Sequence, residues 1–295
     1  WFFKYARGYR MHKQYERSAL VYNDILKRFN NDKYAGLEYA DMQWHDLSDY
    51  SGAVRIVNDK MLLYHVNDKD GLLELGDIYL DWGDNGDPEK YENARETYAT
   101  LVNLFGSTDL YLSRMMRYFI RKDNLPEVLR LKELFFPKKK SLGSQDLTEL
   151  SGYLFDKSNA SLAPSEAYLR EKITDIKALM ERAIRADPEN PAALYNMARY
   201  FIQMSNQNDA LTFLDASQSA FSKAASAKLA DTYRWIDTYR LEGEIYVKQQ
   251  EILKAAETFT DGISLFTNNT PALPGNHIVG KLYIDMADID YFKYN

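Results

Sequence analysis

Apolar and small side chains recur along this chain at fixed relative places, and this ladder constrains the fold more than any other feature. The places are 4, 7, 8, 11, 20, 24 and 27 of each unit. The clearest copy comprises Leu194, Met197, Ala198, Phe201, Ala210, Leu214 and Ser217. A second comprises Tyr239, Glu242, Gly243, Tyr246, Ala255, Phe259 and Gly262, in which only Glu242 breaks the polarity. Two more are Phe2, Tyr5, Ala6, Tyr9, Ser18, Tyr22 and Ile25, and, with an insertion in the middle, Leu72, Leu75, Gly76, Tyr79, Ala94, Tyr98 and Leu101.

This spacing predicts a pair of antiparallel helices. Places 4, 8 and 11 share one face of a first helix, and places 20, 24 and 27 share one face of a second helix. Places 8 and 20 carry Gly, Ala or Ser in all four copies, and a missing side chain there lets two helices approach closely. Large aromatic residues at places 11 and 24 fill the space beside them.

The ladder resembles the tetratricopeptide repeat family, whose unit of 34 residues is a helix–turn–helix with this order of large and small residues. The resemblance implies an all-α, right-handed superhelical solenoid of antiparallel helix pairs, with about seven repeats and a partial eighth. We expect one solenoid over 1–295, cut from a longer protein. The approximate repeats are 1–33, 34–67, 68–107, 108–141, 147–189, 190–224, 228–268 and 279–295, with insert loops near 82–90, 157–170 and 267–277.

Composition narrows the class of function. The chain has 14 Gly and 8 Pro, few enough to favour helices joined by short turns. Cysteine is absent, which excludes disulfides and thiolate chemistry. A net charge of −6 disfavours nucleic acid as a partner, and no apolar run is long enough to span a membrane. The compartment stays open between cytoplasm and bacterial periplasm.

No catalytic constellation is present in the sequence. The four histidines are scattered, and no HExxH, Gly-rich phosphate loop or Gly-x-Ser-x-Gly motif occurs. We therefore predict no enzyme activity, no catalytic residue and no cofactor.

Two neighbouring segments carry opposite charge. Residues 68–96 contain ten acidic and three basic side chains, whereas residues 109–140 contain nine basic and four acidic ones. In the repeat family the inner groove is lined from places 2, 5, 9, 12 and 13 of the first helix. By the resemblance, the groove candidates here are Asp70, Asp77, Asp81, Arg117 and Arg121, with Arg114 beside them. Either they hold a charged partner or they are solvated faces that attract one another within the protein.

The later repeats add three candidates for partner contact. Family members that hold peptide C-termini use a clamp of Lys, Asn and Arg over consecutive units, and here Lys and Asn are absent together at the required places. Tyr195, Arg199 and Arg240 remain, because aromatic and Arg side chains dominate binding hot spots.

The segment 81–92 partly resembles an EF-hand calcium loop. Asp81, Asn85, Gly86, Glu89 and Glu92 occupy places 1, 5, 6, 9 and 12 of such a loop. Gly83 at place 3 offers no ligand, and Pro88 stands at place 8, where the loop requires an apolar residue. The alternative is a lengthened polar turn with Pro88 opening the second helix.

These observations favour a scaffold or adaptor that binds protein subunits or peptides on its concave helical surface. A calcium- or ligand-responsive regulator using the 81–92 loop is the alternative. Self-association is also open, and 23 tyrosines exceed what the ladder buries, which indicates an adhesive surface. A tyrosine-rich, cysteine-free repeat chain of this kind is similar to bacterial envelope or motility scaffolds such as the flagellar collar proteins of spirochaetes.

Overall fold

A computed structural model describes residues 1–29, 31–135, 142–159, 173–223, 229–268 and 277–294. Within these ranges every regular element is a helix, which confirms the all-α class predicted from the ladder. The chain comprises two compact units, Trp1–Lys140 and Ser141–Asn295. One continuous solenoid over both units stays a prediction.

Unit 1 is a row of four helical hairpins. Its helices are α1 (Phe2–Met11), α2 (Tyr15–Arg28), α3 (Lys33–Asp41), α4 (Tyr50–Ile56), α5 (Lys69–Asp84), α6 (Lys90–Phe105), α7 (Asp109–Arg121) and α8 (Leu125–Phe135). Two π-helical segments, Met42–Asp46 and Val57–Leu62, extend α3 and α4. The members of each hairpin pack together, and the second helix of one hairpin packs on the first helix of the next. Short turns make the members antiparallel.

Unit 2 repeats this arrangement. Its helices are α9 (Ser144–Asn159), α10 (Ile173–Ala186), α11 (Pro191–Gln203), α12 (Gln207–Lys223), α13 (Leu229–Lys248), α14 (Ile252–Asn268) and α15 (His277–Tyr294). Consecutive first helices touch one another directly, since α11 packs on α9 and α13, and α13 packs on α15, as α7 packs on α5 in unit 1. Side chains of consecutive first helices therefore share one surface.

The small residues of the ladder lie where two helices meet most closely. Ala6 and Ala198 at place 8 are fully buried, as are all four residues at place 20. A Cβ added at Gly76 would come closer than 3.0 Å to the Tyr98 ring, and one added at Gly243 would meet the Phe259 ring in the same way. The predicted close approach of first and second helix is confirmed, because only a glycine fits against these rings.

A second regularity marks the turns. Four hairpins have a turn without an insertion: α1–α2, α7–α8, α11–α12 and α13–α14. In each, one turn residue has a positive φ of 52–62°, and it stands at place 15 when the first helix is aligned to the ladder, with Leu112 at place 4 of α7. These residues are Lys13, Asp123, Ser205 and Gln250. The left-handed conformation costs a non-glycine residue roughly 1 kcal/mol or more, so the tight turn is imposed by the packing of the two helices it joins.

Of the three segments predicted as inserts, the structure describes most fully the one near 82–90. Helix α5 continues to Asp84 and α6 begins at Lys90, so the turn between them is 85–89. Most of the predicted inserts near 157–170 and 267–277 lies outside the described residues. Among the described helices, none combines the length and apolarity needed to cross a membrane.

Candidate functional site

The first helices of unit 1 are joined side by side through pairs of charged residues. We use the name first-helix surface for the surface that the first helices share within a unit, and each unit has its own. Arg114 Nε on α7 donates to both carboxylate oxygens of Asp77 on α5, at 2.8 and 3.0 Å. Two turns further along, Arg121 Nη2 donates to Asp84 Oδ2 at 3.0 Å. Both pairs join residues 37 positions apart. Two Arg–Asp pairs therefore hold α5 and α7 in register.

The same spacing recurs between α3 and α5. Lys33 Nζ lies 2.7 Å from Asp70 Oδ2 and 2.8 Å from Asp68 Oδ2. Between α1 and α3, Arg7 pairs with Glu38, and Arg10 pairs with Asp41 at 2.6 Å. The acidic and basic bands seen in the sequence are themselves joined by three pairs among the described residues: Arg114–Asp77, Arg121–Asp84 and Lys122–Glu92. Of the candidates in these bands, Arg117 is 8% exposed and offers little surface to a partner.

Asp81, another groove candidate, accepts hydrogen bonds from aromatic side chains. Its Oδ2 accepts the indole N–H of Trp44 at 2.7 Å and the Tyr50 hydroxyl at 3.4 Å. The Tyr50 ring stacks on Trp82 with centroids 6.0 Å apart. The indole of Trp44 is carried inward by the π-helical segment that extends α3. This carboxylate is therefore engaged by groups of the neighbouring hairpin.

The residues that a calcium loop would use as ligands have separate partners elsewhere in the protein or are exposed. Asp81 lies within α5, and the Asn85 side-chain amide donates to the Asp81 carbonyl oxygen at 2.8 Å. Glu89 is exposed at the start of α6. Glu92 accepts from Arg95 at 2.8 Å and from the Tyr118 hydroxyl at 2.9 Å. In the part of the chain that the structure describes, no three acidic or histidine side chains are grouped to hold a metal ion.

Many carboxylates of the protein accept a hydrogen bond from a tyrosine hydroxyl. Six such bonds, 2.6–3.4 Å long, are Tyr22–Glu38, Tyr50–Asp81, Tyr91–Asp84, Tyr98–Asp77, Tyr118–Glu92 and Tyr195–Asp237. Burial and the adjacent carboxylate raise the pKa of each phenol, that of Tyr118 to about 12. Several of the 23 tyrosines therefore serve internal bonds. Tyr34 is exposed, and so is Tyr5, although the ladder assigned Tyr5 to the packed face of its helix.

Glu74 on α5 is an acidic side chain of the first-helix surface that has no cation beside it in the part of the chain that the structure describes. Within the described residues its carboxyl makes no hydrogen bond or ion pair, whereas Asp41 and Asp77 on either side are held by Arg10 and Arg114. Burial, together with the charges of Asp41 and Asp77, raises the pKa of Glu74 to about 7. The ionised form is thus disfavoured in the folded protein.

This environment predicts a pH-dependent stability. Because the pKa of Glu74 is higher in the folded than in the unfolded chain, its protonated form stabilises the fold below about pH 4.5. That contribution is lost as the pH rises through about 7. In urea unfolding at pH 8, the Glu74→Gln variant should therefore have a free energy of unfolding roughly 2–3 kcal/mol higher than that of the wild type. At pH 4.5 the two free energies should be equal. Equal differences at both pH values would contradict the assignment.

In unit 2 the candidates Tyr195 and Arg240 meet at one buried carboxylate. The Tyr195 hydroxyl donates to Asp237 Oδ2 at 2.6 Å, and Arg240 Nε donates to Asp237 Oδ1 at 2.6 Å. Asp237 and Arg240 are 5% and 8% exposed. Arg240 also pairs with Glu244, which lies 3.4 Å from Lys281 Nζ on α15. This network spans three consecutive first helices.

Arg199, the third candidate in unit 2, lies over two aromatic rings. Its guanidinium carbon is 5.1 Å from the Phe155 centroid and 5.4 Å from the Tyr195 centroid, and the group pairs with Asp156 on α9. Asp156 is the more exposed member of the pair, with 58% of its side chain accessible. The structure therefore brings Tyr195, Arg199 and Arg240 together across neighbouring first helices. Tyr195 and Arg240 are 7% and 8% exposed, so Arg199 is the accessible candidate of the three.

Several residues that hold the candidates were not predicted from the sequence. Asp84, Asp156 and Asp237 are the carboxylates that pair with Arg121, Arg199 and Arg240. Asp237 precedes Arg240 by three residues, a spacing that favours pairing on a helix. Asp84 could have been found from its spacing, because it lies 37 positions before Arg121, as Asp77 does before Arg114.

The fold is similar to that of several solved structures, although the sequence identities are low. Three similar solved structures are the APC/C hetero-tetramer Cut9–Hcn1, a tetratricopeptide repeat protein from Parabacteroides merdae, and an IFIT1 monomeric mutant with m7Gppp-AAAA. Their TM-scores are 0.63, 0.59 and 0.62, at 13%, 12% and 13% identity. They cover 94%, 97% and 95% of this chain, which spans 46%, 97% and 60% of theirs.

No protein-family model and no curated protein matches the sequence. The structural likeness agrees with the ladder, the close helix contacts at place 8 and the tight turns at place 15. The chain therefore has the fold of the tetratricopeptide repeat proteins.

Proposed function

We propose that this chain is a non-enzymatic scaffold that binds partner subunits or peptides on its first-helix surface within a multiprotein assembly. The observation that carries the proposal is the fixed position of Arg199 in unit 2, which lies over the Phe155 and Tyr195 rings and pairs with Asp156. Tyr195 is itself only 7% exposed and is held by its hydrogen bond to Asp237, so Arg199 and Asp156 are the accessible members of this group. Arg and Tyr are the residue types that dominate binding hot spots, and side chains already held in position lose less entropy when a partner binds.

The internal charge pairs define what kind of partner group can bind. Most cations of the first-helix surface are neutralised, while Asp70 and Asp156 keep 55% and 58% of their side chains accessible. A basic side chain of a partner can approach these two carboxylates without breaking a buried pair. Such exposed charges contribute to specificity and association rate more than to affinity.

The similar structures support an interaction role to different degrees. Cut9–Hcn1 is a hetero-tetramer, so one protein of this fold is known within an assembly. The IFIT1 structure contains a capped RNA, so the fold itself is compatible with nucleic acid. For this chain, the net charge of −6 and the internal pairing of Arg114 and Arg121 favour protein partners.

A photo-crosslinking experiment tests the proposal. A photoreactive amino acid is placed at Asp70 or Asp156 on first helices, and as matched controls at Glu96 and Lys254, which are 69% and 61% accessible on second helices. In cells that produce the protein, we expect each first-helix position to capture a partner that neither control captures. Capture from the second helices alone would refute a first-helix binding surface.

The more specific assembly suggested by the tyrosine-rich composition, a bacterial envelope or motility scaffold, stays a prediction. The identity of the captured partner decides it.

A further inference from the structure

The turn between α5 and α6 carries a dipeptide, Asn85–Gly86, that occurs once in the chain. Both residues are exposed to solvent. Gly86 has a φ of +119°, and a Cβ added there would meet nothing within 4 Å. Its backbone N–H donates no hydrogen bond to any residue that the structure describes. The backbone nitrogen that follows Asn85 is therefore unhindered and open to water.

An asparagine followed by such a nitrogen can modify itself. The side-chain carbon Cγ is an electrophile, and the deprotonated backbone nitrogen of the next residue is a nucleophile that closes a five-membered ring with it. A side chain on that next residue obstructs the closure, and glycine has none. No enzyme, metal or oxidant is needed, because the chain's own nitrogen displaces the leaving ammonia.

We propose that Asn85 is a site of spontaneous deamidation. Hydroxide removes the Gly86 amide proton, the Gly86 nitrogen bonds to Asn85 Cγ, and the bond from Cγ to Nδ2 breaks. Water supplies the proton with which Nδ2 leaves as ammonia. One water molecule then hydrolyses the resulting succinimide. Cleavage of one imide C–N bond gives aspartate at position 85, and cleavage of the other gives isoaspartate, in which the main chain runs through Cγ. This reaction does not depend on the proposed binding function.

The C-terminal cap of α5 controls the rate of this reaction. Asn85 ends the helix with a φ of −105° and a ψ of 26°, and its Nδ2 donates to the Asp81 carbonyl oxygen at 2.8 Å. The same amide group lies beside the Tyr50 hydroxyl. Ring closure requires the Gly86 nitrogen to eclipse Cβ of Asn85 about the Cα–C bond, and at this ψ the two atoms are apart. The cap must therefore open first, so the folded chain reacts more slowly than an unfolded one.

Deamidation destroys the cap that slows it. A carboxylate has no N–H to donate to the Asp81 carbonyl oxygen. It also adds a negative charge at the C-terminal end of α5, where the helix dipole disfavours one, and Asp84 and Asp87 stand close to it in the chain. The isoaspartate form further lengthens the main chain within the turn. Each product therefore favours fraying of the last turn of α5.

The last turn of α5 also supports the first-helix surface of unit 1. Asp84 pairs with Arg121 at 3.0 Å, and Asp81 accepts from the Trp44 indole at 2.7 Å. Fraying of this turn takes both carboxylates out of their fixed positions. Deamidation is thus an irreversible, age-dependent change that loosens one end of this surface.

Mass spectrometry of the whole 295-residue chain, incubated at mildly alkaline pH in water enriched in heavy oxygen, tests the proposal. Cleavage after Lys69 and Lys90 gives a peptide in which Asn85 has the only side-chain amide. We expect this peptide to exchange its NH2 group for a labelled OH group and to yield both aspartate and isoaspartate. The rate should rise in proportion to the hydroxide concentration.

Three controls make the result decisive. Asn85→Gln should abolish the conversion, because ring closure from the longer side chain is much slower. Asn206 is equally exposed in a turn but is followed by glutamine, and it should stay unconverted over the same period. The free peptide 70–90 should convert faster than the folded chain. Conversion of the free peptide without any in the folded chain would overturn the proposal, and so would equal rates at Asn85 and Asn206.

Asn85→Asp tests the consequence for α5 with the product already in place. Hydrogen exchange in the last turn of α5 should become roughly three- to ten-fold faster, because one capping hydrogen bond is lost and an unfavourable charge is gained. Asn93→Asp is the matched control, since it places the same charge near the N-terminal end of α6, where the helix dipole favours it. It should leave exchange in α5 unchanged. Exchange that Asn85→Asp does not accelerate, or that both variants accelerate equally, would refute the loss of the cap as the effect of deamidation.

Discussion

Tyr98→Ala is expected to lower the free energy of unfolding of unit 1 by about 3–5 kcal/mol. The Tyr98 ring is fully buried between α5 and α6 and packs directly on Gly76, so truncation leaves a cavity where the two helices are closest. Tyr98→Phe removes only the hydroxyl that donates to Asp77 at 2.7 Å. It should cost about 1 kcal/mol, since Asp77 keeps its pair with Arg114. Hydrogen exchange in peptides from α5 and α6 measures both changes within unit 1.

A double-mutant cycle sharpens this prediction. Gly76→Ala should destabilise the wild-type chain by about 1–3 kcal/mol, because the new Cβ collides with the Tyr98 ring. In the Tyr98→Ala background the same substitution has space, and its higher helix propensity should stabilise α5 by up to about 1 kcal/mol. Equal destabilisation in both backgrounds would show that the contact between Gly76 and Tyr98 is not the reason for the glycine.

Asp237→Ala is the second substitution with a large expected effect, about 3–5 kcal/mol in unit 2. It removes the carboxylate that accepts from both Tyr195 and Arg240. The Arg240 guanidinium would keep Glu244 as a partner but would lose its buried one. Hydrogen exchange of α11 and α13 is the measurement, because these helices carry the network.

Two controls separate the lost charge pair from lost packing. Tyr195→Phe should cost only about 1 kcal/mol, because it removes one hydroxyl and keeps the ring. The double variant Asp237→Leu with Arg240→Met replaces the pair by apolar side chains and should be much less harmful than Asp237→Ala. A cost below about 1 kcal/mol for Asp237→Ala would mean that the network adds little to the stability of unit 2.

The ladder was sufficient to predict the helix pairs and their closest contacts. Small residues opposite aromatic residues at fixed offsets have few other arrangements, because the ring needs the space that the missing side chain leaves. Gly76 with Tyr98 and Gly243 with Phe259 follow this rule. The turns were less predictable, since Lys13 and Gln250 adopt a positive φ that their residue types disfavour.

The charge bands show the limit of reading function from composition. In sequence they are two separate segments, and a charged partner was one of two interpretations. Packing places α7 beside α5, so Arg114 and Arg121 reach Asp77 and Asp84 on the neighbouring hairpin. Which charges remain accessible depends on this lateral contact, and Asp70 stands out only once the others are paired.

By itself, the sequence determined the helical hairpin and its repetition, because these follow from the period of apolar and small residues along a single helix pair. The tertiary structure decided which polar groups neutralise one another and which carboxyl is left without a cation, as with Glu74. The ion pairs arise between residues of different hairpins, such as Asp77 and Arg114, which are 37 positions apart. They depend on how hairpins pack on one another, and side-chain periodicity within one hairpin does not encode that packing.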